Sequence, residues 1–205
     1  DPDAYAIIST WLGATLAASL ADIPIAWNAP GVPFPFAKSH HHHIRAAMRA
    51  AAYLSVRDSG SVRLLPRCDD VKLNVVPDPA ADVSRVWPLS TLDHTFSAFR
   101  ARHLVPETDH FMTISVRNRS LKGTGTEALG AMIDDLARAS RLHPVLVALG
   151  EAHDDAGTAN AVAHHISVPH TVYDDPLSLQ EMTAVIAHSD LYLGASLHGY
   201  IVAAS

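Results

Sequence analysis

Downstream of residue 110, short apolar runs alternate with stretches of helical spacing, and this rhythm restricts the fold more than any other feature of the chain. Strands are expected at 111–116, 144–149, 171–173 and 191–193, helices at 127–140, 158–166 and 178–188, and a last helix opens at Ser196. Parallel neighbours need a crossover between them, so the pattern predicts a parallel sheet wrapped by helices. Upstream the rhythm is looser. Strands are expected at 5–8, 23–27, 53–56 and 71–76, with a helix at 10–21 behind Thr10 as N-cap and another from Ile44. A third helix, 91–104, carries Leu92, Phe96, Phe99 and Leu104 at helical spacing. Val105-Pro-Glu-Thr-Asp109 breaks it and sets the expected domain boundary. The predicted fold class is α/β, with two Rossmann-like halves at 1–106 and 107–205. Asp1 follows no methionine and Ser205 falls inside an apolar helix without a C-cap, so the halves are expected to be truncated, at the start and at the end respectively.

Composition narrows the function classes. With 48% apolar and 18% charged residues, the 205-residue chain can fill packed cores and has no signature of disorder. Its 15 basic and 21 acidic residues give a net charge of −6, which excludes nucleic-acid binding driven by bulk charge, so any cationic site must be local. The single cysteine, Cys68, excludes an internal disulfide framework and multi-cysteine zinc patterns; a cytoplasmic location is expected, with peripheral attachment to the inner face of the membrane as a variant. The longest apolar run, 11–20, contains Gly13 and Ser19 and is too short to span a membrane, so it reads as a buried helix.

The last eighteen residues hold the densest chemistry. A strand at 191–193 runs through Gly194 and Ala195 into a helix opening at Ser196, which leaves free backbone N–H groups at a positive dipole end, a natural place for a phosphate or carboxylate. His198 falls in the first helical turn, where an imidazole can donate a proton to what those groups hold. The alternative is plain: Ser196 is an N-cap and His198 a surface histidine. A second cationic element follows the strand at 111–116, in Ser115-Val-Arg117-Asn-Arg119-Ser-Leu-Lys122-Gly-Thr-Gly125, the most concentrated positive stretch of the chain. Arg117 and the corner at Ser196 can share one anion if both open on the same sheet edge; otherwise these are solvated loop charges.

Other candidates are weaker. The loop 28–36 has three prolines and one glycine after a strand, and rigid loops there are where α/β proteins place ligands. Arg57-Asp58 ends a strand and either aims a guanidinium at a ligand or closes the junction as an ion pair. Asp78, pinned between Pro77 and Pro79, either contacts a ligand or belongs to a rigid corner. Glu151, Asp174 and Asp175 sit at carboxyl ends of strands and either bind hydroxyls or cap helices. The run His40 to His43 reads as a solvated helix start, since adjacent helical residues point in different directions and cannot all ligate one metal. No metal site is expected.

Five segments in order, Asn-Ala-Pro-Gly-Val (28–32), Tyr-Leu-Ser-Val-Arg-Asp-Ser (53–59), Pro-Asp-Pro-Ala (77–80), Ile-Ser-Val-Arg (114–117) and Ser-Asp-Leu-Tyr-Leu-Gly-Ala-Ser-Leu-His-Gly (189–199), resemble the polysaccharide pyruvyl transferase family. The resemblance implies a fold like the two-domain GT-B glycosyltransferases. It also implies transfer of pyruvate from phosphoenolpyruvate onto two hydroxyls of a sugar or lipid-linked oligosaccharide, forming a cyclic ketal without a cofactor. By that resemblance Arg117, Ser196, Leu197 and Gly199 hold the donor, His198 is the acid/base residue, and Arg57 and Asp78 join the substrate site. Many relatives have arginine where this chain has Ser196. Two rival readings share the same corner: a GT-B nucleotide-sugar glycosyltransferase, and a non-catalytic relative that binds a glycan or an anion.

Overall fold

A computed structural model describes residues 2–106, 110–121, 123–150 and 154–205. The chain divides into two compact units, 1–79 and 80–205.

The first unit opens with α1 (Pro2–Leu20), whose proline occupies a first-turn position where its missing N–H costs nothing. The strand expected at 5–8 is absorbed into this helix: a four-residue apolar run is ambiguous by itself, and the Ala- and Leu-rich sequence that follows decides for helix. A parallel three-stranded sheet follows, in the order β1 (Ala26–Trp27), β2 (Tyr53–Val56), β3 (Asn74–Val75). The third strand is shorter than the apolar pattern suggests. Only two residues pair with β2, and the Asn74 side chain donates to the Leu54 carbonyl at 3.1 Å. Packed on this sheet is α2 (His41–Ala50), which inserts Ile44, Ala47 and Met48 among Trp27, Leu54 and Val56. Of the four histidines, His40 precedes this helix as its N-cap and His41 to His43 open it; His40, His42 and His43 are exposed, and His41 is half-buried with Nε2 3.2 Å from Phe36 O. Two serines tether the proline-rich loop: the Ser55 hydroxyl accepts from Ala29 N and donates to Trp27 O, both at 2.9 Å, and Ser61 accepts from Val32 N at 2.9 Å. Ser61 lies on α3 (Ser59–Leu64).

In the second unit α4 (Val83–Val86) and α5 (Leu89–His103) precede the main sheet. Next come β4 (Phe111–Ser115), α6 (Gly125–Ser140), β5 (His143–Val147), α7 (Asp155–Ala163), β6 (Thr171–Tyr173), α8 (Leu179–Ala187), β7 (Leu191–Gly194) and α9 (Leu197–Ala204). The four strands are all parallel, in the order β6-β5-β4-β7. Alternate residues feed two cores, as a sheet covered on both faces requires. Val145 and Val147 join Phe96, Phe99 and Val185 on one face, while Leu146 joins Met112, Ile114, Ile133 and Val162 on the other.

The domain division differs from the expected one at 106/107, because α5 belongs with the second unit. It packs along α8, burying Phe96 and Phe99, with Phe96 stacked on His188 at 4.3 Å between ring centres. Full burial of a side chain such as Phe99 stabilises by about 2 kcal/mol. Arg102 at the end of α5 then grips the buried Glu181 of α8 with two hydrogen bonds, 2.8 and 2.6 Å, and the Tyr173 hydroxyl donates to the same carboxylate at 2.6 Å. The break at 105–106 is thus a loop inside a unit.

These donors, the Arg102 fork foremost, hold the Glu181 carboxyl at about 2, below its ordinary 4.5, although burial opposes the shift. A depressed carboxyl contributes stability that is complete above 4.5 and is lost as pH falls toward 2, here on the order of 3 kcal/mol. Glu181→Gln is expected to lose roughly that amount at pH 7. Urea unfolding at pH 7, 5 and 3.5 checks it: the gap between wild type and variant should narrow through the acid window, and a gap that stays constant would remove the charge as its source.

Candidate functional site

The strand order of the second unit places a switch point at the carboxyl end of the sheet. Successive strands β4, β5 and β6 advance one way, and β7 returns to the opposite side of β4. Chains leaving β4 and β7 therefore diverge at a crevice, the place where open α/β sheets bind ligands. Arg117 lies two residues beyond β4, and Ser196 two residues beyond β7.

The register fixes their approach. Ser115 pairs with Gly194, and the ladder continues one step further as Ala195 N donates to Ser115 O at 3.1 Å. Ser196 is the N-cap of α9, its buried hydroxyl accepting from Gly199 N at 3.4 Å, while Arg117 Nη2 donates to that hydroxyl at 3.4 Å. Leu197 and His198 occupy the first two helical positions, where N–H groups have no partner within a helix. Both side chains are exposed, so the imidazole stands on the solvent side of the corner. Gly199 is buried, and a Cβ there would overlap the Tyr192 hydroxyl. A side chain at 194 would meet that hydroxyl as well.

The structure therefore brings Arg117 to the corner formed by Ser196, Leu197, His198 and Gly199. The corner also contains residues that sequence reasoning missed. Asp155, the first residue of α7, is buried with Oδ2 at 3.9 Å from Arg117 Nε. Its signal was an acidic residue opening the helix after β5, which reads as an ordinary helix-start charge. The Tyr192 hydroxyl faces Ser115 without a well-aligned hydrogen bond, and burial pushes the phenol above its usual range, so it stays a neutral donor. Four buried polar atoms here lack a hydrogen-bond partner among the described residues: Ser115 Oγ, Arg117 Nε, Asp155 Oδ1 and the Tyr192 hydroxyl. Such atoms concentrate where a ligand or water completes the network.

In the first unit the structure brings Arg57 and Asp78 together at the carboxyl end of its own sheet. Arg57 Nη1 lies 3.4 Å from Asp78 Oδ2, its Nε lies 3.5 Å from Asp58 Oδ2, and the guanidinium covers Gly31 so closely that a Cβ there would overlap it. Asp58 is the N-cap of α3, accepting from Ser61 N at 2.6 Å, and this bond holds its carboxyl below the usual range.

The remaining acidic candidates have structural partners. Asp174 accepts from Asn160 at 2.7 Å, and Asp175 lies 3.1 Å from His103 Nε2; Ser178, not Asp175, caps α8. Glu151 and Lys122 lie outside the described residues, as does the side chain of Arg119. Among the described residues no group of three metal-ligating side chains occurs, and no helix is long and apolar enough to cross a membrane. Concavity alone points elsewhere, to an opening beside Arg100 and Leu104 and another beside Tyr53 and Asp70. What singles out the corner is its buried charge and its four buried polar atoms without a hydrogen-bond partner among the described residues.

Among solved structures the chain is similar to the UDP-GlcNAc 2-epimerase from Neisseria meningitidis bound to UDP-GlcNAc. That match has 16% identity and a TM-score of 0.57, over 91% of this chain and 52% of that one. The UDP-GlcNAc 2-epimerase from Methanocaldococcus jannaschii matches with 16% identity and a TM-score of 0.63, over 94% and 56%. At this identity the likeness shows the fold alone, a GT-B-like α/β architecture with parallel sheets flanked by helices. This chain spans about half the length of those structures. No curated protein matches the sequence. The description of polysaccharide pyruvyl transferases, in contrast, matches residues 1–205 from end to end, and the chain belongs to that family.

Proposed function

We propose that this chain carries the donor site of an enzyme that moves pyruvate from phosphoenolpyruvate onto two hydroxyls of a sugar, in a polysaccharide or a lipid-linked precursor, and closes a cyclic ketal. Family membership supports pyruvyl transfer, and one observation carries the choice of site. Arg117 reaches the Ser196 hydroxyl at the mouth of α9, beside His198, at the sheet's switch point.

The chemistry follows from the donor. Phosphoenolpyruvate is an enol ester of phosphate; a proton added to its methylene carbon leaves a cation-like centre at C2. One sugar hydroxyl attacks C2 and loses its proton. The C2–O bond to phosphate then breaks, and the second hydroxyl closes the ring as its proton leaves. The sum is one phosphate, one ketal and no redox change. His198 supplies the first proton and, once deprotonated, takes one back from an attacking hydroxyl. Arg117 and the N–H groups of Leu197 and His198 hold the phosphate and carboxylate, whose charge grows on the departing oxygen. In the first unit, Arg57 and Asp78 form a polar pair of their own, in which Asp78 could accept from a sugar hydroxyl. The same reading has the enzyme work in the cytoplasm, with attachment to the inner face of the membrane as a variant.

A second reading has its own support: one structural neighbour holds UDP-GlcNAc, and a diphosphate suits the same corner. Incubation of the native protein with phosphoenolpyruvate and, separately, with nucleotide sugars separates the two. Release of inorganic phosphate that requires a sugar acceptor is the expected outcome; release of a nucleoside diphosphate instead would transfer the site to glycosyl transfer. Thermal stabilisation by either ligand without turnover would identify a binding relative.

Replacing His198 with Ala is expected to lower kcat of phosphate release by about 100-fold or more, the scale of a lost general acid, with an unchanged thermal midpoint because the side chain is exposed. Turnover close to wild type would take His198 out of the chemistry. For Arg117→Ala, a rise of about 10- to 100-fold in KM for phosphoenolpyruvate is expected, the scale of losing charge-assisted hydrogen bonds.

A further inference from the structure

We propose that Asp155 is the positioning residue of this site: it holds one edge of the Arg117 guanidinium so that the other faces the bound anion. The inference rests on the corner being the donor site. Nε and Nη2 form the lateral edge of a guanidinium, and here that edge faces the protein: Nε lies 3.9 Å from Asp155 Oδ2, and Nη2 donates to Ser196 Oγ at 3.4 Å. The terminal fork, Nη1 with the second Nη2 proton, is left to an oxyanion in bidentate geometry.

Burial gives Asp155 its leverage. It is only 1% exposed, so its charge is tolerated by virtue of the guanidinium and the positive end of α7, on whose first turn it sits. The 3.9 Å separation is short enough for strong Coulomb attraction and too long for a hydrogen bond. Neither Arg117 Nε nor Asp155 Oδ1 has a hydrogen-bond partner among the described residues. A small rotation of Arg117 toward Asp155 closes that gap, and an anion on the terminal fork fixes the guanidinium in plane as it closes. Asp155 touches no reacting atom in this arrangement. Its effect passes through Arg117.

The test is a double-mutant cycle in the native protein, read by steady-state kinetics with phosphoenolpyruvate and by thermal unfolding without ligand. Asp155→Ala is expected to raise KM for phosphoenolpyruvate about tenfold while kcat changes by less than roughly threefold, and Asp155→Asn, which keeps an acceptor near Nε, should fall between it and wild type. In an Arg117→Ala background, Asp155→Asn should leave KM unchanged. It should also restore thermal stability, because Arg117→Ala alone strands a buried carboxylate. Additive effects on KM, or no rescue of the melting midpoint, would overturn the role of Asp155 even where Asp155→Ala folds poorly. If Arg117→Ala itself leaves KM untouched, the donor-site reading fails instead, and the two failures are told apart by that single variant.

Discussion

The pairing of β7 against β4 is the contact on which the site depends. Sequence neighbours β4 and β5 pair directly, but Gly194 of β7 lies 79 residues after Ser115, the β4 residue it meets, with three α-helices formed in between. Each step is a crossover between parallel strands, a connection that is right-handed as a rule, and the sum returns the chain to the other edge of β4. Because the register is parallel, both strands end at the same level, and the residues that follow them face each other. The hydrogen bond from Ala195 N to Ser115 O extends this match into the turn, so backbone as well as the Ser196 cap holds the mouth of α9. The exposed imidazole of His198 thus stands on a turn whose backbone is fixed by the sheet.

Legibility in the sequence followed the range of the interactions. Elements whose signal is local were readable: the alternation after residue 110, the capping serines at 178 and 196, and the turn that puts Ser196 at a helix start all depend on residues within a few positions. The corner was readable as well, because a strand, a small-residue turn and a helix suffice to define it. The strand expected at 5–8 shows the limit of a short apolar window, which fits either period until its neighbours decide. The boundary expected at 106 failed for a different reason. A proline break marks the end of a helix, but unit membership is decided by Arg102 finding Glu181, 79 residues later. Asp155 was hidden in the same way, since its meaning lies in a guanidinium that follows another strand.

Both units solve one electrostatic problem alike. In an acidic chain, a guanidinium near a sheet edge must be held in place, or it turns outward to solvent or to some surface carboxylate. Here Arg57 follows β2 and meets Asp78, which follows β3; Arg117 follows β4 and meets Asp155, which follows β5. In each case the arginine leaves one strand and the acid belongs to the segment after the next. Adjacent parallel strands joined by a crossover bring their carboxyl ends side by side, so this arrangement needs no special loop. The acid costs some net attraction for an anion, but it fixes the direction of the fork, and direction matters more where the ligand is small and carries charge at both ends. In the proposed reaction the donor carries a phosphate and a carboxylate on three carbons, and a guanidinium that wanders would not satisfy both. In the arrangement proposed above, Arg117 beside Asp155 would present the two parallel donors of its terminal edge to one anionic group, at the mouth of α9. Specificity for a compact dianion then comes from geometry imposed by a buried acid, in a chain whose overall charge would repel it.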